Sequence, residues 1–165
     1  MDRYYCSFEV RWSDLDPNRH LANTSYMMYG NHVRVKFLSE NGFPQSKFEE
    51  HQVGPVVFTE KLHYFREILP NEEVHVTLEL KGASESFMFF HFQHNIYKHD
   101  GSHAATIELY GGWISLKSRR LAPPPEALAQ ALSKMPRTSD FKVLNKEDLK
   151  AVRVMPQEEP FEVKS

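Results

Sequence analysis

The 165-residue chain holds a single cysteine, Cys6. One thiol closes no internal disulfide, so the fold must rest on a packed core, and the expected setting is a reducing, cytoplasmic one. An excess of charge of one sign is also missing: 20 Lys and Arg against 22 Asp and Glu leave a formal net charge of −2. That excludes a nucleic-acid partner held by bulk charge. No uninterrupted apolar run approaches the ~18–20 residues that a membrane-spanning helix needs. The opening residues, Met1-Asp2-Arg3-Tyr4-Tyr5, lack the basic and then apolar halves of a signal peptide. With 41% hydrophobic and 25% charged residues, disorder is excluded, and the length suits about one domain.

Aromatic residues are abundant instead. They make up 13% of the chain, with 12 Phe and 7 Tyr, many in alternating runs that suit broad packed β surfaces. Residues 4–12 read as a short strand, closed by the turn-rich stretch Ser13-Asp14-Leu15-Asp16-Pro17-Asn18. Thr24 to Asn41 reads as a helix: Tyr26, Met27, Gly30, Val33, Phe37 and Leu38 recur at spacings of three and four. Asn23 or Thr24 would cap it, Gly42 suits a left-handed end, and Pro44 stops continuation. Its only charges before Asn41 are Arg34, Lys36 and Glu40, so it is expected to be covered on most sides.

From Val53 to Leu121 the chain reads as strands. Val74, Val76, Leu78 and Leu80 alternate with polar residues, and Asp100-Gly101 marks a hairpin. Gly111-Gly112 suggests a bulge or a close backbone approach. After Pro123-Pro124-Pro125 a helix is expected over Glu126 to Lys134, and a weak one over Asn145 to Val152. One helix of ~27 Å cannot cover both faces of a five-stranded sheet, but a sheet curled around it would bury it. The expectation is an α+β fold with about five antiparallel strands around one long helix, spanning residues 1–135. Residues 136–165 are expected to pack on the surface or be partly disordered, with Pro156 to Ser165 loose. An open sheet edge would invite a second copy.

The densest polar cluster, Asp14 to Asn23, lies just before the helix. Helix N-termini offer free N–H groups and partial positive charge. A carboxylate and an imidazole beside such donors suit attack on a carbonyl, with the N–H groups holding the developing oxyanion. The plain alternative is a turn made by Asp-Pro-Asn with Asn23 as a cap.

The stretch Leu15-Asp16-Pro17-Asn18-Arg19-His20-Leu21-Ala22-Asn23-Thr24-Ser25-Tyr26 resembles the signature of hotdog-fold acyl thioesterases. It is similar both to the 4-hydroxybenzoyl-CoA thioesterase-like enzymes and to the acyl-ACP thioesterases, which carry Asp-x-Asn-x-His at this place. The likeness continues through Arg34, through Tyr64-Phe65-Arg66-Glu67-Ile68 and through Glu72-Glu73-Val74, and covers about residues 5–120. It implies a hotdog domain, a homodimer or dimer of dimers, and hydrolysis of an acyl-CoA or acyl-ACP thioester, with no cofactor beyond the substrate's own carrier. Carried over, Asp16 is the catalytic carboxylate, as base or nucleophile, with Asn18 and His20 as its partners. Asn23, Thr24 and Tyr26 would meet substrate. Lys117 and Arg119 are candidates for the nucleotide phosphates, against the plain reading of a solvated strand end. Relatives often have Gly where this chain has Arg19, and Glu where it has His32, which shifts weight onto Asp16. A non-catalytic acyl-ligand binder and an enoyl-thioester hydratase remain as alternatives. No metal is expected: His91 and His94 point to opposite faces of one strand, and no helical His-x-x-x-His pair exists.

Overall fold

The computed structural model describes residues 3–158. Five strands form the expected antiparallel sheet: β1 (Tyr4–Glu9), β2 (Val53–Tyr64), β3 (Glu73–Ala83), β4 (Phe89–Lys98) and β5 (His103–Ser115), in the spatial order β1-β3-β4-β5-β2. The alternating residues Val74, Val76, Leu78 and Leu80 are fully buried, which fixes the register by putting every apolar side chain of β3 on the core face. Gly111 is a close-approach position, as expected. A Cβ there would lie 2.4 Å from the Val56 carbonyl and 2.6 Å from the Phe90 ring. The matching irregularity sits opposite it on β2, between Val57 and Thr59.

The long helix α1 (Asn23–Glu40) lies across this sheet. Phe8 of β1 stacks on Tyr29 at 4.3 Å, and Tyr4 meets Phe37 edge-on at 4.9 Å. At Gly30 the helix comes so close to the sheet that a Cβ would stand 3.3 Å from His94 and from Ile107. Gly42 takes the expected positive φ, 89°. Two expectations about this helix fail. Neither Asn23 nor Thr24 caps it: Ala22 holds the cap position, because its own N–H is already used by the Asp14 carbonyl and Asn23 is inside the first turn. Nor is α1 covered on most sides within one chain, for the sheet cups one face and leaves Met28 69% and Val35 42% exposed. Pro44 does stop α1, but it then opens a short helix α2 (Gln45–Glu50) that sequence reading did not foresee.

Beyond the sheet, α3 (Glu126–Ser133) buries Leu128, Ala131 and Leu132. The segment after Pro136, expected to lie outside or trail, contributes a sixth strand, β6 (Arg137–Val143), and a helix, α4 (Lys146–Val152). β6 runs parallel to β3 along Leu80–Ala83, whereas β1 pairs with residues 73–78 of the same strand. β1 and β6 thus share one edge of β3 end to end. Arg137-Thr138-Ser139-Asp140-Phe141-Lys142-Val143 has no alternation to betray it because neither of its faces is deeply buried. Asn145 caps α4 by accepting from the N–H groups of Glu147 and Asp148. Of the tail expected to be loose, residues 159–165 lie outside the described residues.

Candidate active site

The polar stretch before α1 folds back on itself. The N–H of Arg19 donates to the Asp16 carbonyl at 3.0 Å, and the N–H of Asp16 donates to the His20 carbonyl at 2.8 Å. Pro17 presets the first corner, and Arg19 absorbs the left-handed geometry with φ 60°. A glycine would take that position without strain, so this is a place where the chain accepts a cost of about 1 kcal/mol. Inside the turn, the Asp16 Oδ1 accepts from the N–H groups of Asn18 at 2.8 Å and His20 at 3.1 Å. Among the described residues the other oxygen, Oδ2, has no hydrogen-bond partner, and Asp16 lines an open cleft of about 570 Å³. Turn-forming and site-forming roles therefore coexist in one side chain.

Asp14, two residues earlier, is an anchor. Its Oδ2 accepts from Tyr29 Oη at 2.8 Å and from the Arg11 N–H at 3.0 Å, and its carbonyl accepts from Ser25 Oγ at 2.8 Å. These bonds set α1 in place, and no side chain hydrogen-bonds its N-terminus as a cap. The Asn23 and Thr24 N–H groups open the helix with no acceptor inside it.

The cleft walls are Asp16, His20, Leu21, Asn23, Tyr26, Tyr64, Phe65, Arg66 and Glu67. Asp16, His20, Asn23 and Tyr26 are thus brought together as expected. His20, however, turns its Nε2 to Glu67, at 3.0 Å from Oε2, and gives Asp16 only its backbone N–H. Asn18 likewise serves Asp16 through its N–H, and its exposed side chain is not among the walls, nor is that of Thr24. Tyr26 meets Tyr64 edge-on at 5.2 Å. Burial, reinforced by Tyr64 and Asp16, pushes its phenol up to about 12, which keeps the hydroxyl a donor.

Lys117 and Arg119 lie elsewhere. Lys117 lines a separate cleft with Gln52, Val53 and Ser115, at the Val53 end of β2, while Tyr64 marks the other end. Twelve residues of strand separate those ends, roughly 35 Å. His32 is exposed against Phe8 and does not reach the cleft. Cys6 is buried, and that burial pushes its thiol up, away from nucleophilic use. The cleft contributors that sequence reading did not assign are Leu21, beside the assigned His20, and the segment Tyr64, Phe65, Arg66 and Glu67. That segment is tied to the turn by the Leu21 N–H, which donates to the Ile68 carbonyl at 2.8 Å. The one signal for it in sequence was the second stretch of family likeness. Among the described residues, the cluster with metal-ligand spacing is Glu73, His75 and His99, away from this cleft.

Residues 10–132 match the thioesterase-like superfamily. No curated protein matches the chain. Among solved structures, the fold is similar to a hypothetical protein of Staphylococcus aureus in complex with CoA, at 20% identity and TM-score 0.75, over 94% of this chain and 96% of that one. It is also similar to 1,4-dihydroxy-2-naphthoyl-CoA thioesterase from Synechocystis, at 14% identity and TM-score 0.72, over 81% and 97%. A probable thioesterase from Escherichia coli aligns at 20% identity and TM-score 0.68, over 81% and 99%. At these identities the structural likeness speaks for the architecture: a curved sheet wrapped on one long helix, the hotdog fold.

Proposed function

The chain belongs to the thioesterase-like superfamily, and from that membership we propose that it hydrolyses acyl-CoA or acyl-ACP thioesters in the cleft beside Asp16. The observation that carries the reading is the half-tied carboxylate of Asp16, facing a cleft that also meets an uncapped helix N-terminus. The thioester carbonyl would lie against the Asn23 and Thr24 N–H groups, which take up negative charge as the tetrahedral intermediate forms. Asp16 Oδ2 would either draw the proton from an attacking water or attack the carbonyl itself. Collapse expels the thiolate, which takes up the proton that the water gave to Asp16; on the nucleophilic route a water then hydrolyses the acyl anhydride left on Asp16 and supplies that proton. His20, oriented by Glu67, stands in the same cleft to handle that proton. A tighter cavity of about 110 Å³, lined in part by Arg34, Pro55, Phe90, Phe92 and Trp113, lies toward the Val53 end of β2, so apolar acyl carbons would reach it from the Asp16 cleft only across an antiparallel β2 pair, in a second copy.

The same reading includes a homodimer. β2 is a sheet edge of 12 residues, paired with β5 on one side and with no described strand on the other, and Val57 on it is 48% exposed. Such an edge is covered in stable proteins, here most simply by a second β2 in antiparallel register. Two-fold pairing sets the Val53 end of one copy against the Tyr64 end of the other. The Lys117–Arg119 turn of a second copy then stands beside the Asp16 cleft, where a nucleotide phosphate would sit.

A panel of acyl-CoA and acyl-ACP substrates with a thiol-trapping dye tests the activity. Release of free thiol is expected. Loss of enoyl absorbance without thiol would make the protein a hydratase, and binding with neither would make it a carrier.

A further inference from the structure

The register of β1, β3 and β4 builds a second cluster on the outer face of the sheet. Ser7, His75 and Tyr97 form one row across the three strands, and Glu9 stands directly opposite Glu73 in the next. His99 follows Lys98, the partner of Val74, and so comes beside Glu73. Glu73 and His75 flank the fully buried Val74, so they point away from the core. The single oxygen Oε1 of Glu73 lies 3.7 Å from His75 Nε2 and 3.6 Å from His99 Nδ1. All three ligand atoms lie within 4.8 Å of one another.

Those separations are too long for hydrogen bonds. They are near the ~3.3–3.4 Å that separates two ligand atoms sharing a tetrahedral zinc with bonds of about 2.0–2.1 Å. His75 is also oriented as a ligand. Its Nδ1 is 2.8 Å from Ser7 Oγ, which fixes the ring and leaves Nε2 toward Glu73. The Glu9–Glu73 pair adds an independent sign. Like charges directly opposite on neighbouring strands are destabilising, and a cation between them relieves that repulsion. The positive groups nearby are otherwise engaged: Arg3 lies over the Tyr97 ring, and Lys98 is paired with Glu72 at 2.9 Å.

We propose that Glu73, His75 and His99 form a zinc site on the outer face of the sheet, two imidazoles and one carboxylate with a position left for water or Glu9. Two nitrogens and one oxygen suit a borderline transition cation and not magnesium, which wants an all-oxygen octahedron. The site ties β3 to the turn after β4 and shares no residue with the Asp16 cleft. The expectation of no metal came from spacings within single elements, whereas these ligands come from one strand and a neighbouring turn.

The test is calorimetric titration of the untagged, chelator-stripped chain with zinc chloride. One equivalent per chain is expected, with a dissociation constant of about 10 µM or below. His99→Ala, which removes only an exposed turn side chain, and His75→Gln should each weaken it by at least ~10-fold, and Ser7→Ala by less. At the same zinc concentration the thermal midpoint of the wild type should rise more than that of folded His99→Ala. Magnesium chloride should give no binding heat. Absence of zinc binding below about 100 µM in the folded wild type would overturn the proposal. So would zinc binding that survives the double His75→Gln, His99→Ala substitution.

Discussion

Asp16 has two oxygens with different duties. Oδ1 is spent on the turn, through the N–H groups of Asn18 and His20, and Oδ2 is left for chemistry. Asp16→Asn keeps an oxygen for the turn and removes the basic one. In steady-state assays on the best acyl-CoA, kcat should fall by at least ~10² with little change in substrate binding. If Asp16 only shapes the turn, the variant will instead lose thermal stability and keep its turnover per folded molecule. Glu67→Gln should lower kcat by a smaller factor, since it frees the His20 ring without touching Asp16. At this scale the sequence was informative where neighbours in the chain are neighbours in space. Asp16, His20, Asn23 and Tyr26 fall within eleven positions and share the cleft. Glu67 and Tyr64 arrive through the pairing of Leu21 with Ile68, which no local pattern announces. Lys117 and Arg119 were carried to the site by family likeness alone, and in a single chain they lie at the other end of β2.

Between α1 and β4, the core contains a polar link. Arg34 Nη1 donates to His94 Nε2 at 2.9 Å, and His94 Nδ1 in turn donates to the Thr77 carbonyl at 2.7 Å. Burial, then the charge of Arg34, holds His94 down at about 3, while burial holds His91 at about 4 on the outer face of β4. Both folded values lie below the ordinary ~6.5, so the unfolded chain takes up protons first as pH falls. Stability present above ~6.5 is therefore lost on acidification toward ~4, by at most ~1.4 kcal/mol per pH unit for each histidine. Urea unfolding at pH 7 and pH 5, at one fixed protein concentration, should show that loss, and His94→Gln should flatten the slope. Elements with recurring apolar positions were readable from sequence: α1 and β3 match their expected places to within a few residues, and Asp100-Gly101 falls in the turn between β4 and β5 as expected. α2 is too short to show a period, and β6 gains its strand conformation from the open edge of β3.

For the whole molecule, the exposed β2 edge and the bare face of α1 predict a dimer. Light scattering should give about twice the 19.3 kDa of one chain. A monomer at micromolar concentration would remove the seam and, with it, the part given to Lys117 and Arg119. The double change Lys117→Glu, Arg119→Glu should raise KM for acyl-CoA about tenfold, or ~1.4 kcal/mol, with kcat nearly unchanged. The curled sheet on one helix was legible in sequence because strand alternation and a single long helical segment with few charges permit few other packings. The completion of that sheet by the C-terminal segment was not. That completion also imposes a schedule on synthesis. β1 leaves the ribosome first and β6 last, yet both belong to one edge of β3. The second half of that edge is made roughly 60 residues before its cover, a wait of ~3–12 s at ~5–20 residues per second. By the end of that interval the nascent chain carries an unpaired strand edge next to a core that lacks only its C-terminal cover. Arrested chains that end before Arg137 should be cut by protease near Leu80–Ala83, and full-length released chains should be protected there.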